Sequence, residues 1–302
     1  LPLIAAPMFR VSGPDLVRAA CRAGVIGAFP TANCRSIAEL DQWLDALESS
    51  LTAQDAPFCP NLIMRRDTVG DELACLVRHK VELVITSVGS PKPAVAALHD
   101  IGCLVFADVA SMQHAEKAIA AGADGLVLLT AGAGGQTGWA NGFAFVRAVR
   151  AIFDGTIILA GGVSDGTALL AAKVLGCDLA YMGTPFIAAE ESLASNAYKQ
   201  MLVDASFDDV MLTRAFTGLE TNMLRPSIAA AGLDPAALPN DMNAIDAAQR
   251  YGHGDGPRRW RDIWSAGHSV SGVRAIEPAA AMISRIKQEY LAAARSLDKV
   301  FA

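Results

Sequence analysis

The chain has 302 residues, long enough for two average domains or for one α/β barrel of about 250 residues with an addition. Hydrophobic residues make up 52% and charged residues 19%, a balance that excludes a disordered chain. With 25 Lys and Arg against 31 Asp and Glu, a net charge of −6 and no basic run interleaved with aromatics, it lacks the footprint of a nucleic-acid or anionic-membrane binder.

In chain order, the apolar opening Leu1–Phe9 meets Arg10 at once and has no basic leader, so it does not read as a signal peptide. Inside it, Pro2–Ala6 is the first of eight short runs rich in Val, Ile and Leu. The others are Val25–Phe29, Asn61–Met64, Leu83–Ser87, Cys103–Ala107, Gly125–Leu129, Thr156–Ala160 and Leu179–Met182. Their starts lie roughly 20–35 residues apart, the repeat of one strand plus one helix. Amphipathic stretches such as Pro14–Arg22, Ser36–Leu47 and Ser111–Ala120 fill the gaps. Ser12 with Asp15 predicts a capping box, and Gly24, Gly122 and Gly176 stand where a left-handed C-cap is wanted.

Strands apolar on both faces and alternating with helices predict a parallel sheet covered by helices. Eight units predict an α/β fold of the closed (β/α)8 TIM barrel type, with an open doubly wound sheet as the alternative. The texture changes after Tyr198. Residues 203–264 carry Pro226, Pro235, Pro239 and the glycine-rich Tyr251–Pro257, with no convincing strand. The expected organisation is a barrel over 1–202, a small helical insertion or lid after the eighth strand over 203–264, and C-terminal helices over 265–302 returning to the barrel, including one from about Pro278 to Leu297. The longest uncharged stretch, Gly125–Val146, is broken by glycines, Gln136 and Asn141 and is no lipid-facing helix. The six scattered cysteines show no Cys-x-x-Cys or Cys/His ligand spacing. They predict free thiols in a soluble, cytoplasmic protein and exclude a zinc site or disulfide scaffold.

In a barrel, function belongs to the loops after the strands. The sixth strand is followed by Ala131-Gly-Ala-Gly-Gly-Gln-Thr-Gly138, the seventh by Gly161-Gly162 and the eighth by Gly183-Thr184. Glycines at the last two places let backbone N–H groups converge on an anion, and this is the fold's usual phosphate site. Tight turns for helix–strand packing are the plainer explanation of either pair alone.

The opening Ala6-Pro7-Met8, then Ala160-Gly161-Gly162 and Met182-Gly183-Thr184, resemble the nitronate monooxygenase family, also called 2-nitropropane dioxygenases. Asn61, Thr213-Arg214-Ala215 with Gly218, and Trp264-Ser-Ala-Gly267 fit the same pattern, so the resemblance runs along nearly the whole chain. It implies an FMN-binding barrel with the phosphate on Gly161, Gly162, Gly183 and Thr184. It also implies the isoalloxazine ring near Ala6, Pro7, Met8, Asn61 and the loop holding Gly134 and Gly135, with Met182 in the same motif. The family also includes NAD(P)H-dependent quinone and enoyl-thioester reductases, so the resemblance alone does not fix the reaction.

One departure stands out. Family members with nitronate or enoyl-reductase chemistry typically carry histidine in the sixth loop, where this chain has Gln136. An amide forms hydrogen bonds but does not titrate, so Gln136 cannot take a proton from carbon. It can hold a preformed nitronate, or simply brace the loop or the flavin. His268 is the histidine that would restore acid–base function from across the pocket, and contact with backbone or cofactor is its plainer role. Asp108 ends the fifth strand at the catalytic rim, as a ligand-orienting group or a solvated loop carboxylate. His79, His99, His114 and His253 are expected at the surface. Trp139, Phe143 and Phe145 are expected to roof an apolar pocket or pack α-helix against barrel, and Arg65-Arg66 and Arg258-Arg259 to be solvated corners or anion contacts. The methionines form no stripe at helical spacing.

The sequence thus predicts an FMN-dependent oxidoreductase that oxidises alkyl nitronates with O2. The alternatives are an NAD(P)H-dependent reductase of a quinone or enoyl thioester, and a flavin-binding protein without turnover. Its partners are a small-molecule substrate and O2 or an organic electron acceptor, with no nucleic acid or membrane; homo-oligomerisation stays open.

Overall fold

The computed structural model describes residues 1–252 and 256–298, so His253 lies outside the described residues. Among the described residues eleven strands run in order: β1 (Leu3–Ala5), β2 (Ile26–Pro30), β3 (Phe58–Ile63), β4 (Leu83–Ser87), β5 (Leu104–Val109), β6 (Gly125–Leu129), β7 (Gly135–Gln136), β8 (Thr156–Ala160), β9 (Leu179–Met182), β10 (Val210–Thr213) and β11 (Thr221–Leu224). β1 to β6, β8 and β9 form a closed parallel barrel, shut where β9 pairs with β1 through Ile4 and Tyr181. This closure decides for the (β/α)8 barrel and against the open sheet.

The helices α1 (Pro14–Arg22), α2 (Ile37–Ser50), α3 (Val69–Arg78), α4 (Lys92–His99), α5 (Met112–Ala120), α6 (Gly142–Arg150), α7 (Gly166–Leu175) and α8 (Thr184–Ile187) fill the connections between and after the strands. Several begin on side-chain caps: Ser36 accepts from the Glu39 N–H, Ser111 from His114 and Asp165 from Ala168. The expected capping box on α1 does not form. Gly13 occupies the N-cap without a side-chain bond, and Ser12 instead accepts from the Met8 N–H at 3.0 Å and donates to the Ala6 carbonyl at 3.2 Å. Its hydroxyl pins the loop after β1.

Each strand feeds two cores, because successive side chains point to opposite faces. Ile4, Ala28, Cys59, Ile85, Phe106, Val127 and Ile158 pack together inside the barrel, whereas Leu3, Val105, Leu126 and Ile157 face the helices. Burying each Leu or Ile side chain contributes about 1.5–3 kcal/mol.

Beyond α8 come α9 (Asn196–Asp204), α10 (Arg225–Ala230), α11 (Ala244–Tyr251) and α12 (Ala279–Asp298). α12 lies against α7 and α1, and Gly166 permits it: a Cβ there would run into the Ile286 carbonyl and the Tyr290 N–H. The segment expected to be purely helical instead holds the β10–β11 antiparallel hairpin, and β11 pairs in turn with β7 in the sixth loop, Thr221 opposite Gln136. A separate core of Phe216, Met223, Ile228, Tyr251 and Ile263 supports it. No described helix is long and apolar enough to cross a membrane. All six cysteines are buried and free.

Candidate active site

A cavity of about 1290 Å³ opens at the C-terminal ends of the barrel strands, above the roughly 300–1,000 Å³ of an ordinary small-molecule site. It has room for more than one ligand. Its floor follows from the strand period. Two residues beyond each interior core position stand Ala6, Pro30, Asn61, Ser87, Asp108, Leu129, Ala160 and Tyr181, one from each barrel strand or the residue following it, and all eight line the cavity.

Within that ring, Asn61 is buried, donating to the Ile85 carbonyl and the Ser87 hydroxyl at 3.2 Å each. Asp108 differs. Its Oδ1 is buried without a partner among the described residues, and burial pushes the carboxyl up to about 7. It is not the solvated loop carboxylate that its place near a strand end allowed.

The two glycine loops expected to hold an anion lie after β8 and β9, the seventh and eighth barrel strands. Gly161 and Gly162 take φ values of 122° and 75°, and a Cβ at Gly161 would collide with Thr130 Oγ1. Gly162, Gly183 and Thr184 line the cavity beside them. Thr184 Oγ1 accepts the Gly267 N–H at 2.8 Å, which leaves its own hydrogen available to a ligand.

The sixth loop is held from three sides. Asn222 donates to the Ala133 carbonyl at 2.8 Å, the His268 N–H donates to the Gly132 carbonyl at 2.8 Å, and Thr137 donates to the Thr130 carbonyl at 2.8 Å. Gly134 packs so closely on Gly267 that neither has room for a side chain. Gln136 is exposed to the cavity, with no side-chain hydrogen bond among the described residues. Trp260 covers Gly135, and Trp264, stacked on Tyr198 at 4.9 Å, also lines the cavity.

The site therefore brings together Ala6, Pro7, Met8, Asn61, Gly134, Gly135, Gln136, Gly161, Gly162, Gly183 and Thr184. It does not include Met182 or His268. Met182 faces the barrel–helix core and gives its carbonyl to the Ala6 N–H at 2.9 Å. His268 is packed behind the loop against Gly132 and 4.6 Å from the Phe207 ring, so no histidine crosses the pocket there. Trp139 and Phe143 point to solvent and Phe145 into the core, so none roofs the cavity.

Two further expectations change. His114, placed on a helix away from the strand tops, is exposed but stands in the first turn of α5 and lines the cavity with Lys117. Arg65 and Arg66 line it too, the latter 3.1 Å from the buried Glu72, and Lys92 and Arg214 complete a cationic rim. Arg259 is half-buried and donates to the Phe216 carbonyl, which makes it a brace of the insertion.

The sequence also hid a Cys/His pair one helical turn apart. Cys75 and His79 converge on Asp41, but Arg78 already holds the same carboxylate oxygen at 2.9 Å. Burial lifts the Cys75 thiol to about 11, so no thiolate is ready for a metal. Burial alone would lower His79, and its bonds to Asp41 and Glu48 raise it overall. His79 is thus half-buried in an ionic network, and His99 pairs with Asp124 at 2.9 Å.

A family model described as nitronate monooxygenase matches residues 1–289. The chain belongs to the nitronate monooxygenase family. A nitronate monooxygenase of Paraburkholderia phytofirmans is 26% identical over 341 aligned positions, covering 95% of this chain and 92% of that protein. A solved nitroalkane oxidase of Streptomyces ansochromogenes superimposes with a TM-score of 0.79 at 26% identity, covering 98% of this chain and 97% of that one. A (3aS,4S,5R,7aS)-5-hydroxy-7a-methyl-1-oxo-octahydro-1H-indene-4-carboxyl-CoA dehydrogenase of Mycobacterium tuberculosis is 27% identical over 230 residues. That match spans 75% of this chain and 64% of the relative's length.

Proposed function

We propose that the protein binds FMN and oxidises alkyl nitronates with O2. The observation that carries this reading is the pairing of the Gly161–Gly162 and Gly183–Thr184 cradle with Gln136 in one cavity. The cradle fits the cofactor's phosphate: Gly162 has open space where a Cβ would be, and its N–H donates to no protein acceptor among the described residues. Bound FMN would accept electrons from the substrate and pass them to oxygen. Ala6, Pro7, Met8, Asn61, Gly134 and Gly135 are assigned to its ring, with the Ser12 hydroxyl holding the first of these loops in shape.

The chain's own part is binding and orientation. A nitronate already carries its charge and needs no base, and the free amide of Gln136 offers it donors at the cavity wall. The rim cations Arg65, Lys92, Lys117 and Arg214 draw an anion inward. Residues 1–202 are assigned as the FMN-binding barrel, 203–264 as the substrate cover and 265–302 as the returning helical segment. The free cysteines support a reducing, cytoplasmic setting.

The same cationic rim supports a second reading, a reductase of a CoA-type thioester fed by NAD(P)H, whose phosphates would sit on those side chains. Anaerobic mixing of the flavin-loaded protein with ethyl nitronate, NADH and NADPH separates the two. Bleaching of the flavin by nitronate alone supports the oxidase reading; bleaching by a nicotinamide alone overturns it in favour of the reductase. Failure to bind FMN at all overturns both.

A further inference from the structure

Asp108 has no part in the assignments above, yet it is the one carboxylate in the eight-residue floor. Its Oδ1 is the one buried side-chain polar atom without a partner among the described residues. Folded proteins pair such atoms, and the carboxyl that carries this one lines the cavity, so the group is placed for an occupant. The strand order fixes its neighbours. β5 is fourth from β1 either way round the closed barrel, and Asp108 pairs in register with Val127 of β6, the strand that leads into the Gln136 loop. Asp108 thus stands opposite Ala6 in the floor and beside the strand that leads into the Gln136 loop, and both Asp108 and Gln136 line the cavity.

We propose that Asp108 is a catalytic residue, the base that takes a proton from the α-carbon of a neutral nitroalkane and so generates in place the nitronate that Gln136 holds. The proposal rests on the nitronate reading above. In this step the substrate C–H bond breaks, its hydrogen becomes the O–H of the Asp108 carboxyl, and its electron pair forms a C=N bond. The displaced N=O pair withdraws onto a nitro oxygen. No electrons leave the two reactants, so no oxidant enters, and the carboxyl then releases its proton to solvent.

The surroundings suit a group that works near neutral pH. Burial alone raises the Asp108 carboxyl to about 7, in the range where an acid–base catalyst is most effective. Tyr181 of β9 and Cys59 of β3 face the same interior, and burial pushes both well above their ordinary values, so neither is charged. Asn61 and Ser87 bond to each other. The cavity's cations Arg65, Arg66, Lys92, Lys117 and Arg214 form no ion pair with Asp108 among the described residues, nor does the His114 ring.

The test is proton exchange, which is separate from turnover. The flavin-loaded protein is mixed anaerobically with nitroethane in D2O and the α-proton signal followed by NMR. The expected result is exchange above the buffer rate that rises with pH to a plateau above about pH 7. Asp108→Asn should slow it by about 100-fold or more, and Asp108→Glu should restore part of it. Oxidation of preformed ethyl nitronate by Asp108→Asn should fall by no more than about tenfold. No enzyme-catalysed exchange, a flat pH profile, or equal losses in the two assays would overturn the proposal, and the pH profile needs no variant to fold. Failure of preformed nitronate to bleach the flavin would instead overturn the oxidase reading while the exchange result still stands.

Discussion

The backbone N–H of Gly267 donates to Thr184 Oγ1 at 2.8 Å, joining residues 83 positions apart. One hydroxyl thereby ties the Gly267 segment to the glycine loop after β9 and keeps its own hydrogen free to donate. Thr184→Val preserves shape but strands the Gly267 N–H between Gly132 and Gly134. The expected cost is about 1–3 kcal/mol of stability, with FMN bound roughly tenfold more weakly. Thermal unfolding and a flavin-fluorescence titration read the two effects, and Thr184→Ser should recover most of both.

The two cradle glycines should respond unequally to alanine. At Gly161 a Cβ meets Thr130 Oγ1 and the backbone sits at φ 122°; at Gly162 the space is open and φ is 75°. Gly162→Ala should therefore cost about 1–2 kcal/mol from backbone strain alone, and Gly161→Ala more than that. Urea midpoints of the two variants rank them, and an equal loss would show that the Thr130 collision relaxes freely.

Asp108 makes stability depend on pH in a set direction. Its folded value of about 7 stands above the ordinary 3.8, so the folded chain keeps a proton that the unfolded chain releases between those values. Stability from this group is complete below about pH 4 and declines as pH rises through about 7, by at most about 4 kcal/mol. Asp108→Asn should flatten that slope and be the more stable form at pH 8. Urea unfolding of ligand-free protein at pH 5 and pH 8 gives the comparison.

His268 should behave as a packing residue. With its ring against Gly132 and Phe207, His268→Ala should lower stability by about 1–3 kcal/mol and leave the pH profile of flavin reduction where it was. A shifted profile would return His268 to the acid–base chemistry.

The barrel was legible because its signals are local. Leu83–Ser87, Gly125–Leu129, Thr156–Ala160 and Leu179–Met182 are apolar runs flanked by turn residues, and the strands have those same limits. The β10–β11 hairpin was not, since each strand has four residues and one of its partners is a two-residue piece of a glycine loop. Such strands exist only through pairing, and pairing leaves no local pattern. The glycine cradle could be read from its spacing. The orphaned Asp108 oxygen could not, because apolar strands conceal which face looks inward until Phe106 is seen inside the barrel. Aspartate two places after Phe106 in Leu-Val-Phe-Ala-Asp-Val was the available clue. His268 failed for a related reason: its sequence neighbours lie at the cavity wall while its ring turns away behind Gly132.

Gln136 pairs with Thr221, and the next N–H, that of Thr137, donates to the Glu220 carbonyl at 3.2 Å. The loop that carries Gln136 and the hairpin whose turn lines the cavity through Leu219 and Glu220 are therefore one piece of sheet. On the proposed function, a ligand too bulky for the space beneath that turn would push it outward and carry off with it the amide assigned to hold the substrate. Size exclusion and chemical recognition would then be a single test, passed or failed at once.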